Sequence, residues 1–338
     1  MLQCLALAKK GIGKVSPNPL VGSIVVYKNE IIGKGYHEKY GLHHAEVNAI
    51  NSVKNKALLS QSILYVNLEP CSHHGNTPPC CEFIVKNKIK TVVIGCLDSS
   101  AKVNGKGIEY LKNNGVEVIT DVLKSKCSWA NRRFFTNHIN KRPYIILKWA
   151  QTKDGFIDKI RTQESKGINW ITSQETKRTV HKWRNEEDAI LVGRSTVEVD
   201  NPELTVREVK GKNPLRIVID PELKLNRTKK IFNLKAKTIV LNYKIDKIEK
   251  NIRYLKTTNN SAITDLFSQL QKEKISSLII EGGAKTINYF INNNLWDEAR
   301  VLIGSIEFKK GLKAPEIKKN SSNTSYINKD KLVTYYND

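Results

Sequence analysis

The chain has 338 residues, 40% of them hydrophobic and 26% charged, a composition that excludes a disordered or fibrous protein. At roughly 150 residues per domain, this length predicts about two domains. Its 56 Lys and Arg residues outnumber its 33 Asp and Glu residues, so the formal net charge is +23 and anionic partners are expected.

Charge alone does not distinguish nucleic acid, anionic lipid and phosphorylated small molecules, because all three respond to the same long-range field. The basic residues recur along almost the whole chain instead of forming one tail, which argues against a nucleic-acid partner. No apolar run reaches the length of about eighteen residues that a membrane span needs. We therefore expect no membrane partner and a cytoplasmic location.

The first half alternates strand and helix patterns, which predicts a mostly parallel sheet covered on both faces. A short amphipathic helix over residues 2–10 precedes a loop and a hairpin with strands over 20–27 and 31–36. The pattern then predicts helices over 45–53, 79–86 and 107–113 and strands over 63–68, 91–96 and 116–119.

Residues 123–142 are polar but contain Trp129, Phe134 and Phe135, so they predict an ordered connecting helix between domains at 1–122 and 143–338. The second domain repeats the alternation. Its predicted strands are 144–149, 188–192, 215–220, 238–241, 277–280 and 300–303, and its helices are 173–185, 263–273 and 284–292. Both domains are therefore expected to be α/β, and the residues after about 310, with the polar stretch 318–325, carry no motif.

The cysteines point to a metal site in the first domain. They stand at positions 4, 71, 80, 81, 96 and 127. A disulfide framework does not suit a chain this long whose remainder lacks cysteine. His44 at a helix start, Cys71 after a strand and Cys80 at the next helix start supply one imidazole and two thiolates, which leave a catalytic zinc one open position. Such a zinc brings the pKa of its bound water to about 7, so zinc-hydroxide chemistry is expected.

Glu46 follows His44 by two residues, and at a helix entry both side chains can face one cavity. We expect Glu46 to take a proton from the attacking water and deliver it to the ring nitrogen and the leaving ammonia. A histidine with a nearby non-ligand glutamate, followed by Pro-Cys and a second cysteine, is the signature of the zinc deaminases.

Other interpretations of these residues stay open. A structural zinc site or two core cysteines would also account for the thiols, although a structural site takes four ligands and has no use for Glu46. His73 and His74, in the eight-residue loop between Cys71 and Cys80, could compete as ligands. The remaining cysteines, Cys4, Cys81, Cys96 and Cys127, are expected to be buried apolar residues.

The runs SPNPLVGSIVV, HHAEVNAI and LEPCSHHGNTPPCC resemble the deaminase half of the bifunctional deaminase/reductase family of riboflavin biosynthesis, which shares the long loop between the cysteines. The resemblance implies a cytidine-deaminase-like three-layer fold. It also implies hydrolytic deamination of 2,5-diamino-6-(5-phosphoribosylamino)pyrimidin-4-one, with Asn18 contacting the pyrimidine. The chain departs from the family's D-P-N-P-x-V substrate loop, because it reads Asp98-Ser99-Ser100-Ala101-Lys102-Val103.

The second domain has two candidate cofactor segments. Glu281-Gly282-Gly283 lies between a predicted strand and a predicted helix, so its backbone can approach a phosphate, although a tight turn without a ligand fits the pattern equally well. The segment from Val192 to Arg207 also places glycine, hydroxyls and arginines beyond a strand. Because ligands of open α/β sheets bind beyond the carboxyl ends of strands, both segments are predicted to face one crevice.

Together with Lys148-Trp149-Ala150 and Asp154-Gly155, these segments are similar to the reductase half of the same family. The resemblance implies a dihydrofolate-reductase-like α/β fold and NADPH-dependent reduction of the ribosyl group to a ribityl chain. The implied NADPH residues are Ala150, Trp170, Thr196, Asp200, Gly283, Ala284, Lys285, Thr286 and Ile287. The implied substrate residues are Lys148, Arg184, Leu204, Arg207 and Glu281. Ile168 replaces a substrate-binding serine of the family, and Trp170 could instead be a core aromatic.

Two rival functions remain. An RNA or nucleoside base deaminase could use a basic, non-catalytic second domain, although that half lacks a basic stripe with interleaved aromatics. The second domain could also be a non-catalytic binding module beside the zinc deaminase. The resemblance favours a two-step enzyme acting on a phosphorylated pyrimidine, and it implies a homo-oligomer.

Overall fold

The computed structural model describes residues 1–74, 78–98, 103–162 and 167–337. The chain forms two compact units, Met1–Arg142 and Pro143–Asp338. The segment expected to connect the domains, residues 123–142, is helical and belongs to the first unit. Among the described helices, none combines the length and the apolar character that crossing a membrane requires.

The first unit is built around a sheet with the strand order β2-β1-β3-β4-β5. The strands are β1 (Gly22–Tyr27), β2 (Glu30–Tyr36), β3 (Ile63–Val66), β4 (Thr91–Ile94) and β5 (Glu117–Ile119). The helices are α1 (Leu2–Ala8), α2 (Ala45–Ser52), α3 (Cys80–Lys86), α4 (Lys106–Asn113), α5 (Lys124–Ala130) and α6 (Arg132–Asn140), with short 3-10 turns at Lys9–Gly11 and Lys56–Gln61. These elements confirm the predicted order of strands and helices.

The first sheet is mixed, so the prediction of a mostly parallel sheet is wrong for this unit. β1 pairs antiparallel with β2 and β3, whereas β3, β4 and β5 run parallel. Lys28 and Asn29 both have positive φ, which is the conformation of a tight hairpin turn, and such a turn joins antiparallel strands. The core beneath the sheet includes the fully buried side chains of Val25, Ile50, Leu64, Ile84 and Ile94.

The main sheet of the second unit has the strand order β11-β12-β10-β9-β8-β13-β6-β14-β17-β16, and β15 pairs separately with β7. The strands are β6 (Tyr144–Gln151), β7 (Phe156–Lys159), β8 (Ala189–Gly193), β9 (Leu215–Ile219), β10 (Thr238–Asn242), β11 (Lys247–Glu249), β12 (Ile252–Lys256), β13 (Ser277–Ile280), β14 (Glu298–Ile303), β15 (Gly311–Lys313), β16 (Asn323–Ile327) and β17 (Asp330–Tyr336). The helices are α7 (Gln174–Glu186), α8 (Arg194–Asp200), α9 (Ala262–Lys272) and α10 (Ala284–Asn292), with a 3-10 turn at Lys230–Phe232.

The central strands of this sheet bring candidate functional residues to the same edge of the sheet. β13 runs parallel to both β6 and β8, and Ile280 is in register with Leu147 and with Leu191. Parallel strands end at the same edge of a sheet, so Glu281 follows β13 beside Lys148 of β6. The register therefore explains why distant sequence segments meet at this edge.

The sequence patterns missed α8, the strands β7, β11, β12 and β15, and the C-terminal hairpin of β16 and β17. β17 pairs antiparallel with β14, and Val333 packs into the core of the second unit. Asp330 at the start of β17 is buried and accepts hydrogen bonds from the backbone N–H and Oγ of Ser173, both at 2.7 Å, and from Oγ1 of Thr176 at 2.6 Å. The hairpin therefore anchors the N-terminus of α7.

We expect Asp330→Ala to lower the free energy of unfolding of the second unit by about 2 kcal/mol, because it leaves buried donors without an acceptor. Urea unfolding followed by tryptophan fluorescence measures the change. Glu307→Ala removes an exposed carboxylate from the same unit and should change stability by less than about 0.5 kcal/mol. Equal stability of Asp330→Ala and the parent would contradict the anchoring role.

Candidate active sites

Three candidate ligand atoms converge in the first unit. His44 is the N-cap of α2, with extended backbone dihedrals, and Cys80 is the first residue of α3. Cys71 lies beyond the end of β3. The side-chain ligand atoms of His44, Cys71 and Cys80 all lie within 4.8 Å of one another.

The two sulfurs face the same imidazole nitrogen. Nδ1 of His44 is 3.2 Å from Sγ of Cys80 and 3.5 Å from Sγ of Cys71. The backbone N–H of Cys80 donates to Sγ of Cys71 at 3.3 Å, so the start of α3 stabilises negative charge on that sulfur. The Cys80 thiol and this environment bring the pKa of Cys71 down to about 4. One nitrogen and two sulfurs, one of them readily ionised, match the ligands of a catalytic zinc.

Glu46 lies in the first turn of α2, is buried and contacts the Cys80 side chain. Burial raises the pKa of its carboxyl group to about 7, and the nearby His44 only partly opposes this effect. A carboxyl group with a pKa near neutrality can both accept and donate a proton at working pH. The predicted placement of His44 on the helix cap and Glu46 just inside the helix is confirmed.

His44, Cys71 and Cys80 form the one candidate ligand cluster among the described residues. Within the described residues, the cluster of potential ligands holds three members, so a four-ligand structural site is not formed there. His73 and His74 are exposed and lie outside the cluster, and Nε2 of His74 is 3.4 Å from Glu82. The expectation for the other cysteines is confirmed, since Cys4, Cys81, Cys96 and Cys127 are buried and free. Residues 75–77 of the same loop lie outside the described residues.

Glu69 has a role that the sequence analysis missed. Its buried carboxylate accepts hydrogen bonds from the backbone N–H groups of Asp98, Gly105, Gly107 and Ile108, at 3.0 to 3.3 Å. The carboxylate thereby caps the start of α4, where a negative charge is favourable. The carboxylate of Glu69 is therefore engaged by backbone N–H groups, whereas Glu46 lies beside the ligand cluster.

Asn18, predicted to contact a pyrimidine, is held by a histidine that the sequence analysis also missed. Its Nδ2 donates to Nε2 of His37 at 3.1 Å, and Nδ1 of His37 donates to the backbone oxygen of His43 at 3.0 Å. The ring of His37 lies edge-on to that of His44, with centroids 5.4 Å apart. Asn18 is therefore oriented next to the ligand cluster. In the loop from Asp98 to Val103, which differs from the family's pattern, residues 99–102 lie outside the described residues.

In the second unit, the glycine-rich turn brings β8, α8 and α10 together. A Cβ atom on Gly193 would lie 2.6 Å from Oγ1 of Thr286, and one on Gly282 would lie 2.6 Å from the side chain of Val192. Gly283 has φ +54 and precedes α10, and its Cβ position is 3.3 Å from Oγ1 of Thr196. The predicted cofactor residues Thr196, Gly283 and Thr286 therefore surround a helix N-terminus whose backbone N–H groups suit a phosphate.

The structure gives the other predicted cofactor residues the following surroundings. Trp170 is 57% exposed, with Nζ of Lys177 4.9 Å from its ring centroid, so its interpretation as a core aromatic is wrong. Asp200 ends α8, 3.6 Å from Arg161, and burial raises its pKa to about 6. Ala284, Lys285 and Ile287 begin α10, where Ile287 packs into the core, and Ala150 pairs with Leu302 in the sheet. Ala150, Trp170 and Asp200 therefore contact Leu302, Lys177 and Arg161, respectively.

A buried ion-pair network joins three of the residues that are predicted to bind substrate. Arg184 binds Glu281 through two hydrogen bonds of 3.0 and 2.6 Å, and Nζ of Lys148 lies 3.9 Å from the same carboxylate. Burial alone would raise the pKa of Glu281, but Arg184 and Lys148 outweigh burial and bring it to about 2. Burial lowers the pKa of Lys148. The network therefore holds two cations on one carboxylate.

Leu204 and Arg207 lie on the segment after α8. Leu204 is 2% exposed and has φ +54, a strained conformation for a bulky residue. Arg207 is half-exposed, and its guanidinium contacts Oγ1 of Thr205 at 2.9 Å and Glu203 at 3.3 Å. Arg184 reaches the same segment, because its Nη1 is 3.5 Å from the backbone oxygen of Thr205. Ile168, at the family's serine position, is 47% exposed.

Comparisons with known proteins match both units. Residues 1–96 match the cytidine and deoxycytidylate deaminase zinc-binding region, and residues 143–308 match the RibD C-terminal domain. Riboflavin biosynthesis protein RibD of Aquifex aeolicus is 41% identical over 92% of this chain and 88% of its own length. The corresponding protein of Escherichia coli is 33% identical over 90% of this chain and 86% of its own length.

Solved structures agree with these matches. A diaminohydroxyphosphoribosylaminopyrimidine deaminase/5-amino-6-(5-phosphoribosylamino)uracil reductase of Thermotoga maritima superposes with a TM-score of 0.88, at 34% identity over 99% of this chain and 96% of that chain. RibD of Acinetobacter baumannii also gives a TM-score of 0.88, at 27% identity over 99% of this chain and 97% of that chain. The similarity therefore extends through both units and not only through the motifs.

The Glu281 network predicts an acid-sensitive second unit. The pKa of Glu281 in the folded state lies below the ordinary value of 4.5. Above pH 4.5 the ionised Glu281 therefore stabilises the fold, and this stabilisation is lost as the pH falls towards 2. Between about pH 5 and pH 3, we expect the parent to lose about 2 kcal/mol more unfolding free energy than Glu281→Gln. Urea unfolding at each pH measures this difference.

The matched control is Glu316→Gln, which changes an exposed carboxylate of the same unit. Its pH dependence should equal that of the parent. The network would not be the origin of the acid sensitivity if Glu281→Gln also kept the parent's pH dependence.

Proposed function

The chain belongs to the RibD family of bifunctional deaminase/reductases of riboflavin biosynthesis, and we propose that its two units carry out the two reactions with the residues described above. The enzyme uses zinc for hydrolytic deamination of 2,5-diamino-6-(5-phosphoribosylamino)pyrimidin-4-one. It then uses NADPH to reduce the ribosyl group to a ribityl chain. The observation that carries the residue assignment is the cluster of His44, Cys71 and Cys80 with Glu46 buried beside it.

In the deaminase unit, His44, Cys71 and Cys80 would hold the zinc ion. When bound there, zinc supplies the Lewis acid that makes water nucleophilic near neutral pH. Glu46 accepts one proton from the attacking water and delivers it to the ring nitrogen, and it then passes a second proton, from the newly added hydroxyl group, to the amine, which leaves as ammonia as the carbonyl forms. Its pKa of about 7 suits both directions of transfer.

Substrate orientation in this unit is assigned to Asn18. Because Nδ2 of Asn18 is engaged by His37, the amide presents its oxygen to a ligand, which suits the amino groups of a diaminopyrimidinone. Glu69 takes no part in proton transfer in this scheme, since backbone N–H groups occupy its carboxylate.

In the reductase unit, the turn at Gly283 would hold a phosphate of NADPH. The residues assigned with it are Ala150, Trp170, Thr196, Asp200, Ala284, Lys285, Thr286 and Ile287. NADPH supplies the reducing equivalents when bound. Lys148, Arg184, Leu204, Arg207 and Glu281 are assigned to the phosphorylated substrate, and guanidinium groups suit its phosphate because they form paired hydrogen bonds.

The rival function was an RNA deaminase with a basic, non-catalytic second domain. It does not fit the match of residues 143–308 to the RibD C-terminal domain. The enzyme acts on a small-molecule pyrimidine. We further propose that it works in the cytoplasm as a homo-oligomer, with neither nucleic acid nor membrane as a partner. The family favours a homo-oligomer, and the spread of basic residues along the whole chain argues against nucleic acid as a partner.

Glu46→Gln tests the proton-transfer role. We expect ammonia release to fall at least about 100-fold, because the amide cannot accept the proton, while zinc content stays at the parent level. NADPH oxidation on pre-deaminated substrate should be unchanged. A coupled assay of ammonia release, NADPH absorbance and bound zinc provides the three measurements.

The control variant is Glu109→Gln, which makes the same chemical change on an exposed residue of the same unit. It should deaminate at the parent rate. Parent-like ammonia release by Glu46→Gln would show that another group moves the proton.

A further inference from the structure

His181 is a buried histidine of α7 that the assignments above do not use. It is 2% exposed and lies one helical turn before Arg184, on the same face of the helix. Its Nδ1 is 3.0 Å from the backbone nitrogen of Arg207. A backbone N–H can only donate, so Nδ1 accepts this hydrogen bond and carries no proton of its own.

The surroundings of His181 keep the ring uncharged. Burial lowers its pKa most, and the positive charges of Arg184 and Arg207 lower it further, to about 4. Glu208 and Glu281 also face the ring and oppose this shift without reversing it. At neutral pH the side chain is therefore an uncharged acceptor that feels the positive charges of both Arg184 and Arg207.

The segment that His181 holds is under backbone strain. Leu204 is buried at φ +54, which a bulky side chain tolerates only when its neighbours fix the backbone. Three further hydrogen bonds fix this segment: Arg216 donates to the oxygen of Glu203, Arg184 to the oxygen of Thr205, and the N–H of Val206 to Asn213. The bond from Arg207 to His181 fixes the end of the segment that carries the guanidinium.

The carboxylates of this region are already shared between cations. Arg184 and Lys148 both pair with Glu281. Arg207 lies 3.3 Å from Glu203, which Lys235 also contacts at 2.7 Å. Glu208, which also faces the ring, pairs with Lys177 at 3.0 Å. Five cations thus face these three carboxylates, so positive charge is left over for an anionic ligand.

From this geometry we infer that His181 is a positioning residue, which fixes the backbone of Arg207 with an uncharged acceptor and so keeps the adjacent positive charge available for the phosphate of the reductase substrate. The inference rests on the proposed function, which supplies a phosphorylated substrate. A carboxylate at this position could accept the same hydrogen bond, but it would pair with Arg184 and Arg207 and compete with the phosphate.

Two substitutions separate the two properties of His181. His181→Asn keeps a neutral acceptor one bond from Cγ, where Nδ1 stands in histidine. His181→Asp keeps an acceptor at the same place and adds a negative charge. A purely structural role would treat the two variants alike, whereas a role in keeping positive charge available would not.

The experiment measures binding of the deaminated phosphoribosylamino substrate and of its dephosphorylated form to the full chain with NADP⁺ present, by calorimetry. NADP⁺ prevents turnover, so the ratio of the two dissociation constants reports the preference for phosphate. We expect the parent to prefer the phosphorylated ligand at least tenfold. His181→Asn should keep this ratio within threefold, and His181→Asp should lower it at least tenfold.

Thr179→Asp is the matched control, because it adds the same charge to α7 two residues away, on a different face of the helix. Its ratio should stay within threefold of the parent's. NADP⁺ affinity and ammonia release, measured for every variant, report whether each chain is folded. If His181→Asp does not fold, His181→Asn decides by itself, because loss of its phosphate preference overturns the inference.

The inference is also overturned if His181→Asp keeps the parent's ratio, or if the parent shows no preference for phosphate. Failure of the proposed function has a different signature. In that case NADPH is not oxidised when the parent meets the deaminated substrate, whatever the binding ratios are.

Discussion

Two helix starts meet at one point of the first unit, and the deaminase chemistry depends on this convergence. α2 begins at His44, and α3 begins at Cys80 with its first N–H directed at the sulfur of Cys71. Unpaired backbone donors at a helix start favour negative charge, so a thiolate is stable here even before an ion neutralises it. The ligands come from separate elements, and the fold of the whole unit therefore determines whether they can share a metal.

Buried glutamates show how partners decide the role of one residue type. Burial by itself disfavours a carboxylate, and with only partial compensation Glu46 reaches a pKa of about 7, suited to proton transfer. The side chain of Glu281 is also nearly buried, but Arg184 and Lys148 keep it ionised, and it anchors both cations. Glu69 is surrounded by backbone N–H groups and serves the architecture of the site.

The sequence predicted those parts of the sites that lie close together in the chain or carry a distinctive residue type. His44 and Glu46 are two residues apart on a helix start, and thiols at Cys71 and Cys80 stand out in any sequence. His37, Glu69 and His181 escaped prediction because their partners are backbone atoms or side chains far along the chain, which no local pattern encodes. The hairpin escaped because β16, at the sheet edge, is largely polar, and because the apolar residues of β17 stand in adjacent pairs and do not alternate with polar ones.

The most direct test of the account is the ligand set of the metal in the purified, full-length protein, determined by zinc-edge X-ray absorption spectroscopy. The account predicts one zinc per chain with two sulfur ligands at about 2.3 Å and one imidazole nitrogen at about 2.0 Å, the fourth position being filled by a light atom from outside the protein. A spectrum with three or four sulfurs, or with two imidazoles, would contradict it, because the open position on which hydrolytic deamination depends would then be closed or built from other residues.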